Sequence, residues 1–431
     1  MQTNKLKKIL NSAKLAQNSG KLVHASRLYE EFLQIMPDYL PVLSNLGTIY
    51  VELGNFDKAE KLLKRAAQID NKNIYILYNL ARLYHIKEKY KEAKQLYEKI
   101  VKHNPNFGHA WNNLGLIFKA LGKLPEAITA FKKATKLLPN YAPSFNNLAV
   151  AFEEANHFYE AEKNFKKAIE INNNYIPAKF NLGCLLFRLE RFKEAKYYLK
   201  EVLTQKQEEP TALFLLKCIE QKEIPQRAPV EYIEKTFDHC ADVFEEKLLK
   251  ELKYQTPKKL FKLFQPYLKE NSNILDLGCG TGLGAEFYRP YAKLLYGIDC
   301  SSRMLKKAKA KDIFDKLIKA DILNPWPIDI EFEYIYSSDC LCYFGELSQL
   351  FAIIKKYLVH NGFFGFSVEA LKDSGEDFAL GTSGRFSHKK EYIIGSLNEN
   401  KMECIDLQET ILRKEQGKPV LGYIVIARST Q

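Results

Sequence analysis

The run Asn273-Ile-Leu-Asp-Leu-Gly-Cys-Gly-Thr-Gly282 decides how the second half of this 431-residue chain folds. Asn273 to Leu277 reads as a short apolar strand. It leads straight into three alternating glycines, Gly278, Gly280 and Gly282, and then into a helix-compatible stretch from Leu283 to Tyr291. Glycine permits the tight turn of such a junction and leaves no Cβ between the backbone and an approaching ligand. Alone, a Gly-x-Gly-x-Gly loop is a weak signal, so its weight depends on what surrounds it.

Acids recur at the strand ends around it. Asp276 stands two residues before the first glycine. Leu294-Leu-Tyr-Gly-Ile298 reads as a second strand ending in Asp299, 23 residues after Asp276. A carboxylate there suits the paired hydroxyls of a ribose. Leu317 to Ala320 reads as a third strand ending in Asp321, placed to meet the exocyclic amine of an adenine. Phe332 to Ser337 is a fourth strand, Leu358 to Glu369 a turn and fifth strand, and Met402–Leu412 with Val420–Ala427 an antiparallel pair around Gly417 and Pro419. The fold class is α/β, Rossmann-like, with a mostly parallel seven-stranded sheet and an antiparallel last hairpin. A nicotinamide dehydrogenase is the alternative for the loop alone, but its glycines are spaced G-x-G-x-x-G.

The spacing Asp-Leu-Gly-Cys-Gly-Thr-Gly, with Gly297-Ile-Asp-Cys-Ser-Ser-Arg-Met-Leu305 after the second strand, resembles the class I S-adenosylmethionine-dependent methyltransferases over roughly Tyr232 to Arg428. The resemblance implies roles residue by residue. Gly278, Gly280 and Gly282 approach the amino-acid part of the cofactor, and Asp276 orders their loop. Asp299 binds the ribose, Met304 packs near the adenine, and Asp321 with the Ile322 backbone reads the adenine edge. Ser338 opens the segment Ser338-Asp-Cys-Leu-Cys-Tyr-Phe344 beside the methyl donor. Phe237-Asp-His-Cys-Ala, Leu252-Lys-Tyr-Gln-Thr-Pro257, Phe366-Ser-Val-Glu369 and Ser383-Gly-Arg-Phe-Ser-His388 are together similar to the bacterial tetratricopeptide-repeat methyltransferases and to the methyltransferase-like protein of the Williams-Beuren region.

The acceptor side is less legible. No Asn-Pro-Pro-aromatic motif follows strand four and no Pro-Cys nucleophile occurs there, which argues against nucleic acid as substrate. Asp339, Tyr343, Glu369, Arg385 and His388 are the substrate-side candidates, Asp339, Tyr343 and His388 being the catalytic ones. A structural hydrogen bond is the competing reading for His388, and strand-end packing for Cys340 and Cys342. No metal site is expected.

The first half repeats every 34 residues. Small residues recur at Ala13, Gly47, Ala81, Gly115, Ala149 and Gly183, and again at Ala25, Ala59, Ala93, Ala127, Ala161 and Ala195. Leu46, Leu80, Leu114, Leu148 and Leu182 keep the same interval, and Pro37, Pro105 and Pro139 close units. Small residues let two helices approach, large ones fill the groove to the next pair, and a single pair cannot bury its apolar face. This resembles the tetratricopeptide repeat from about Leu6 to Gln207, an all-α superhelix with a concave side. Asparagine recurs once per repeat at Asn45, Asn79, Asn113, Asn147 and Asn181. Such a row of carboxamides suits an extended peptide backbone; a row of local structural hydrogen bonds is the other reading. The expected partner is a protein or peptide on that concave face.

These signals divide the chain into a repeat array at 1–222, a linker at 223–230 containing Pro225 and Pro229, and a methyltransferase domain at 231–431. Tyr232, Ile233, Phe237, Val243, Phe244 and Leu248 return at helical spacing after the linker; in the resembled family this helix lies over the cofactor. Net charge is +12 overall, +13 in residues 1–222 and −1 in residues 223–431. The lysines stand beside acids, as a solvated helix face requires, more than as a nucleic-acid surface. Eight cysteines without a C-x-x-C pair read as reduced thiols of a cytoplasmic protein, and no apolar run is long enough to span a membrane.

Overall fold

Small residues set the helix spacing of the first half. The computed structural model describes residues 2–241, 244–246, 248–249, 252–372, 375–415 and 417–430; Val243 lies outside them. It divides into two compact units, residues 1–185 and 186–431. In the first, α1 (Gln2–Asn18) pairs with α2 (Leu22–Ile35), α3 (Leu40–Glu52) with α4 (Phe56–Ile69), and α5 (Ile74–Ile86) with α6 (Tyr90–His103). Then α7 (Gly108–Ala120) pairs with α8 (Leu124–Leu137), and α9 (Ala142–Glu154) with α10 (Phe158–Ile171). A Cβ on Gly47 would stand 2.7 Å from Leu63, and one on Gly115 2.6 Å from Phe131, so any larger residue at these two crossings would have to displace the side chain it faces. Ala13, Ala81 and Ala149 are fully buried at the equivalent points.

Two further 34-residue series carry the fold. Tyr29, Leu63, Tyr97, Phe131 and Phe165 are wholly buried in the second helix of each pair. The turn between paired helices is left-handed at Gly20, Gly54, Glu88, Gly122, Asn156 and Glu190. That turn lets the chain reverse within three residues, and glycine takes it at least cost.

The division falls inside α11 (Ile176–Arg188), earlier than residue 222, where the periodicity fails. Thus α12 (Phe192–Gln205) and α13 (Pro210–Glu220) group with the second unit. Phe214 of α13 packs on Tyr232, ring centroids 5.0 Å apart, which ties this closing helix to α14 (Val230–Cys240).

After α14 come α15 (Phe244–Glu246) and α16 (Thr256–Phe264), then β1 (Ser272–Leu277), the glycine loop and α17 (Ala285–Tyr288). Next are β2 (Ala292–Asp299), α18 (Ser302–Ala310), β3 (Lys316–Lys319), β4 (Phe332–Ser337), α19 (Ser348–Tyr357) and β5 (Leu358–Ala370). The chain closes with β6 (Phe378–Leu380), β7 (Phe386–His388), α20 (Lys390–Glu399), β8 (Met402–Glu415) and β9 (Lys418–Ser429). The order β3-β2-β1-β4-β5 is parallel, β9 lies antiparallel on β5, and β8 antiparallel on β9. These are the seven strands expected.

Two features differ from the expectation. The helix after the glycine loop spans only Ala285–Tyr288, because Pro290 turns the following residues into a 3₁₀ turn. The β6–β7 hairpin is additional: Glu369 pairs with Gly422 of β9 and with Ser387 of β7. Therefore β7 occupies the edge of β5 that β4 leaves after Ser337.

Candidate functional site

The parallel order brings the ends of β1, β2, β3 and β4 to one rim, where open α/β sheets bind ligands. Gly278, Gly280 and Gly282 all have left-handed φ, +75°, +53° and +77°. A Cβ on Gly278 would lie 2.6 Å from Cys340 Sγ, and one on Gly282 2.7 Å from Phe314. Among the described residues nothing comes nearer than 3.8 Å to a Cβ on Gly280, which leaves room for a ligand at the loop's middle.

Asp299 orders this loop. One carboxylate oxygen accepts from the Gly280 amide at 2.8 Å and the other from the Ser301 amide at 2.8 Å. Burial pushes its carboxyl above the usual range, against the opposing pull of those two amides. Asp276, expected to order the loop, is held from behind instead: the Tyr336 hydroxyl donates to it at 2.8 Å, and Tyr336 stacks on Tyr288 at 3.7 Å. Burial raises Asp276 to about 7. Met304 is fully buried in the first turn of α18, whose cap is Ser301. Ile322 is buried beside Asp321. Ser338 Oγ is buried and meets no hydrogen-bond partner among the described residues.

Residues 223–230 are not a plain connection. Ala228 N donates to Tyr343 O at 2.8 Å, and Gly345 N to Gln226 O at 2.8 Å. Arg227 pairs antiparallel with Phe344 and grips both oxygens of Asp321, at 2.9 and 3.1 Å. Above the loop, Phe237 of α14 meets Phe244 and Tyr343, with centroids 5.8 and 5.7 Å away. Asp238 ties α14 to the start of α18 by accepting from the Arg303 amide at 3.1 Å. This aromatic cover is where the helix expected over the cofactor stands.

Four of the acceptor-side candidates converge. Arg385 pairs with Asp339 and Glu369 and donates to the Tyr343 hydroxyl at 3.2 Å. Arg413, which sequence reasoning missed, donates to Glu369 at 2.6 Å and Asp339 at 3.3 Å. Burial works to raise the Glu369 carboxyl, but Arg385 and Arg413 outweigh it and hold it low. Asp339 has a left-handed φ of +63°, a conformation retained only under strong local constraint. Asp339, Cys342 and Glu369 place donor atoms within 4.8 Å of one another. The two guanidiniums already neutralise these carboxylates, which disfavours a cation there.

His388 does not join this cluster. Its ring is fully buried, and Nε2 donates to Phe344 O at 2.8 Å while also facing Gly345 O at 3.1 Å. Burial lowers it to about 4, so the ring is neutral and structural at ordinary pH. Cys340 packs against Gly278, and burial raises its thiol.

The asparagine row is half-buried and internally bonded. Asn79 donates to Ser44 Oγ at 3.2 Å, Asn147 to Asn112 Oδ1 at 3.1 Å and Asn181 to Asn146 Oδ1 at 3.0 Å. Asn113 donates to the hydroxyls of Tyr78 and Tyr97 at 3.0 and 3.1 Å, and Asn45 to that of Tyr29 at 3.5 Å. Each carboxamide therefore commits at least one of its two N–H groups to a neighbouring helix.

Comparison with known proteins bears on both halves. Residues 275–366 match a methyltransferase domain model, and residues 42–106, 109–141, 142–175 and 176–209 match tetratricopeptide repeat models. The chain is 29% identical over 102 residues to a malonyl-[acyl-carrier protein] O-methyltransferase of Hamiltonella defensa, covering 24% of this chain and 40% of that protein. It is 32% identical over 115 residues to phosphoethanolamine N-methyltransferase 2 of Caenorhabditis elegans, covering 25% of this chain and 26% of that one. The chain thus spans less than half the length of the curated relatives it matches. Among solved structures, an S-adenosylmethionine-dependent methyltransferase of Methanosarcina mazei is similar at 16% identity and TM-score 0.33, over 39% of this chain and 97% of that one. The chain carries tetratricopeptide repeats in its N-terminal half. Its C-terminal half carries a methyltransferase domain of the S-adenosylmethionine-dependent kind.

Proposed function

We propose that this protein transfers a methyl group from S-adenosylmethionine to a protein or peptide that its repeats recruit. The observation that carries the reading is the joint placement of the Gly278–Gly282 loop, Asp299 and Asp321 at the ends of three adjacent parallel strands. The open Gly280 and the unpartnered Ser338 Oγ fit a polar ligand on that rim. When bound, the cofactor supplies an electrophilic methyl on a sulfonium. The glycine loop takes its amino-acid end, Asp299 the ribose and Asp321 the adenine. Phe237, Phe244 and Tyr343 exclude water above, and positioning an acceptor atom about 3–3.5 Å from the methyl provides most of the catalysis. Asp339 and Tyr343 line the acceptor side, held by Arg385. The functional division remains a repeat array at 1–222 and a methyltransferase half from 231, the intervening strap serving the latter. The eight cysteines stand as thiols and not as disulfides, which suits a cytoplasmic setting; no helix among the described residues is long and apolar enough to cross a membrane.

A small-molecule acceptor is the second reading, favoured by the relative that acts on phosphoethanolamine. The first test is calorimetric titration of the full chain with S-adenosylmethionine. The wild type is expected to bind, and Asp299→Ala to bind at least about ten-fold more weakly through loss of charged hydrogen bonds and of loop order. No heat from the folded wild type at millimolar cofactor rules the reading out.

A further inference from the structure

An arginine from outside the sheet completes the rim. Arg227 lies on the strap Gln226–Ala228, more than 90 residues before the acid it grips. The strap is fixed at three backbone points: Ala228 N to Tyr343 O, and the Gly345 and Glu346 amides to Gln226 O, at 2.8, 2.8 and 3.0 Å. The guanidinium is fixed as well. It lies over the Phe344 ring at 5.2 Å, its Nε donates to Ala228 O at 3.1 Å, and its two Nη atoms meet the two oxygens of Asp321. The partners are largely withdrawn from solvent, with side-chain exposures of 25% and 17%. A planar fork held this way fixes both the position and the plane of a carboxylate, which a point charge does not.

A carboxylate offers about four lone-pair directions. On Asp321, Arg227 takes one on each oxygen, and the Leu323 amide takes another on Oδ1 at 3.2 Å. Among the described residues, the direction that remains belongs to Oδ2. An acceptor reduced to one direction is a selective reader of an incoming N–H donor.

We propose that Arg227 is a positioning residue of the cofactor site: it aims the remaining lone pair of Asp321 at the exocyclic amine of the cofactor's adenine. This rests on the reading of the rim as an S-adenosylmethionine site. Residues 223–230 are then part of the methyltransferase machinery, and the strap that follows the repeats and α13 carries a determinant of cofactor recognition.

The test uses the full chain and measures binding, not turnover. S-adenosylhomocysteine and S-inosylhomocysteine, which has a carbonyl in place of the amine, are titrated into the wild type, Arg227→Gln, Arg227→Lys, Asp321→Asn and the double variant Arg227→Gln/Asp321→Asn. Circular dichroism checks folding. The wild type should prefer S-adenosylhomocysteine. Arg227→Gln should weaken that ligand by about ten-fold and lose most of the preference, while Arg227→Lys should fall between. The double variant should bind no more weakly than Asp321→Asn alone, because Arg227 acts through Asp321. Unchanged affinity and preference in Arg227→Gln overturns the inference alone, as does tighter binding, which marks a latch that competes with adenine. An undiminished Arg227→Gln effect in the Asp321→Asn background also overturns it. Failure of the wild type to bind either ligand removes the cofactor reading and this inference together.

Discussion

Asp276 lies beneath the glycine loop; among the described residues no base reaches it, and its one side-chain donor is the Tyr336 hydroxyl. In the unfolded chain a carboxyl of this kind titrates near about 4; in the fold burial raises it to about 7. The native state therefore holds a proton that the unfolded state has released across that window. The stability this contributes is complete below the unfolded value and is lost as pH rises through the folded one. Asp276→Asn removes the titration. Urea unfolding at pH 5 and pH 7.5, followed through Trp326 in a Trp111→Phe background, should show wild-type stability falling relative to the variant by a few kcal/mol, on the scale of about 1.4 per pKa unit. Parallel behaviour of the two proteins contradicts the assignment. At this scale the proposed cofactor rim was readable because Asp276, Asp299 and Asp321 sit at fixed offsets from strands. Arg227 and Arg413 were not, because each reaches the site from a distant segment, one as a basic residue in a proline-containing strap and the other as a charge on a strand. An inward-facing arginine on β8 is visible only once the strand's register is known.

The turns between paired helices show what one element costs when its sequence departs from the best choice. Gly20, Gly54 and Gly122 take the left-handed conformation readily, whereas Glu88 adopts φ +56° with an exposed side chain. A residue with a Cβ is strained there by about 1–2 kcal/mol. Glu88→Gly is therefore expected to stabilise the repeat unit by about 0.5–1 kcal/mol after the entropy of glycine is counted. Thermal unfolding checks this, and a lower melting temperature for the variant would falsify it. The helices themselves were legible from small and large residues at 34-residue spacing. The β6–β7 hairpin was not, since three-residue strands carry too little alternation to register. The asparagines were found as a row, but their hydrogen bonds to Ser44, Tyr78, Asn112 and Asn146 needed the neighbouring helix in place. Asn113 engages both amide hydrogens in these bonds, while Asn45, Asn79, Asn147 and Asn181 each commit one, so the peptide reading rests on their second N–H and on the carbonyl oxygens.

At the scale of the whole molecule, the repeats and the methyltransferase half meet in sequence at a segment that belongs structurally to the second unit, since α12, α13 and the strap all group there. Periodicity locates where repetition ends, while packing decides which unit owns the residues; Phe214 on Tyr232 settles α13. The proposed division of labour assigns recruitment to the repeats and methyl transfer to the sheet's rim. Incubating the full chain and a lysate with S-adenosylmethionine labelled in its methyl group tests that claim most directly. Labelled protein bands are predicted for the wild type, and fewer for Asn79→Ala/Asn113→Ala/Asn147→Ala with its helices and cofactor affinity intact. Label confined to small molecules, or no transfer from a wild type that binds the cofactor, would contradict the account.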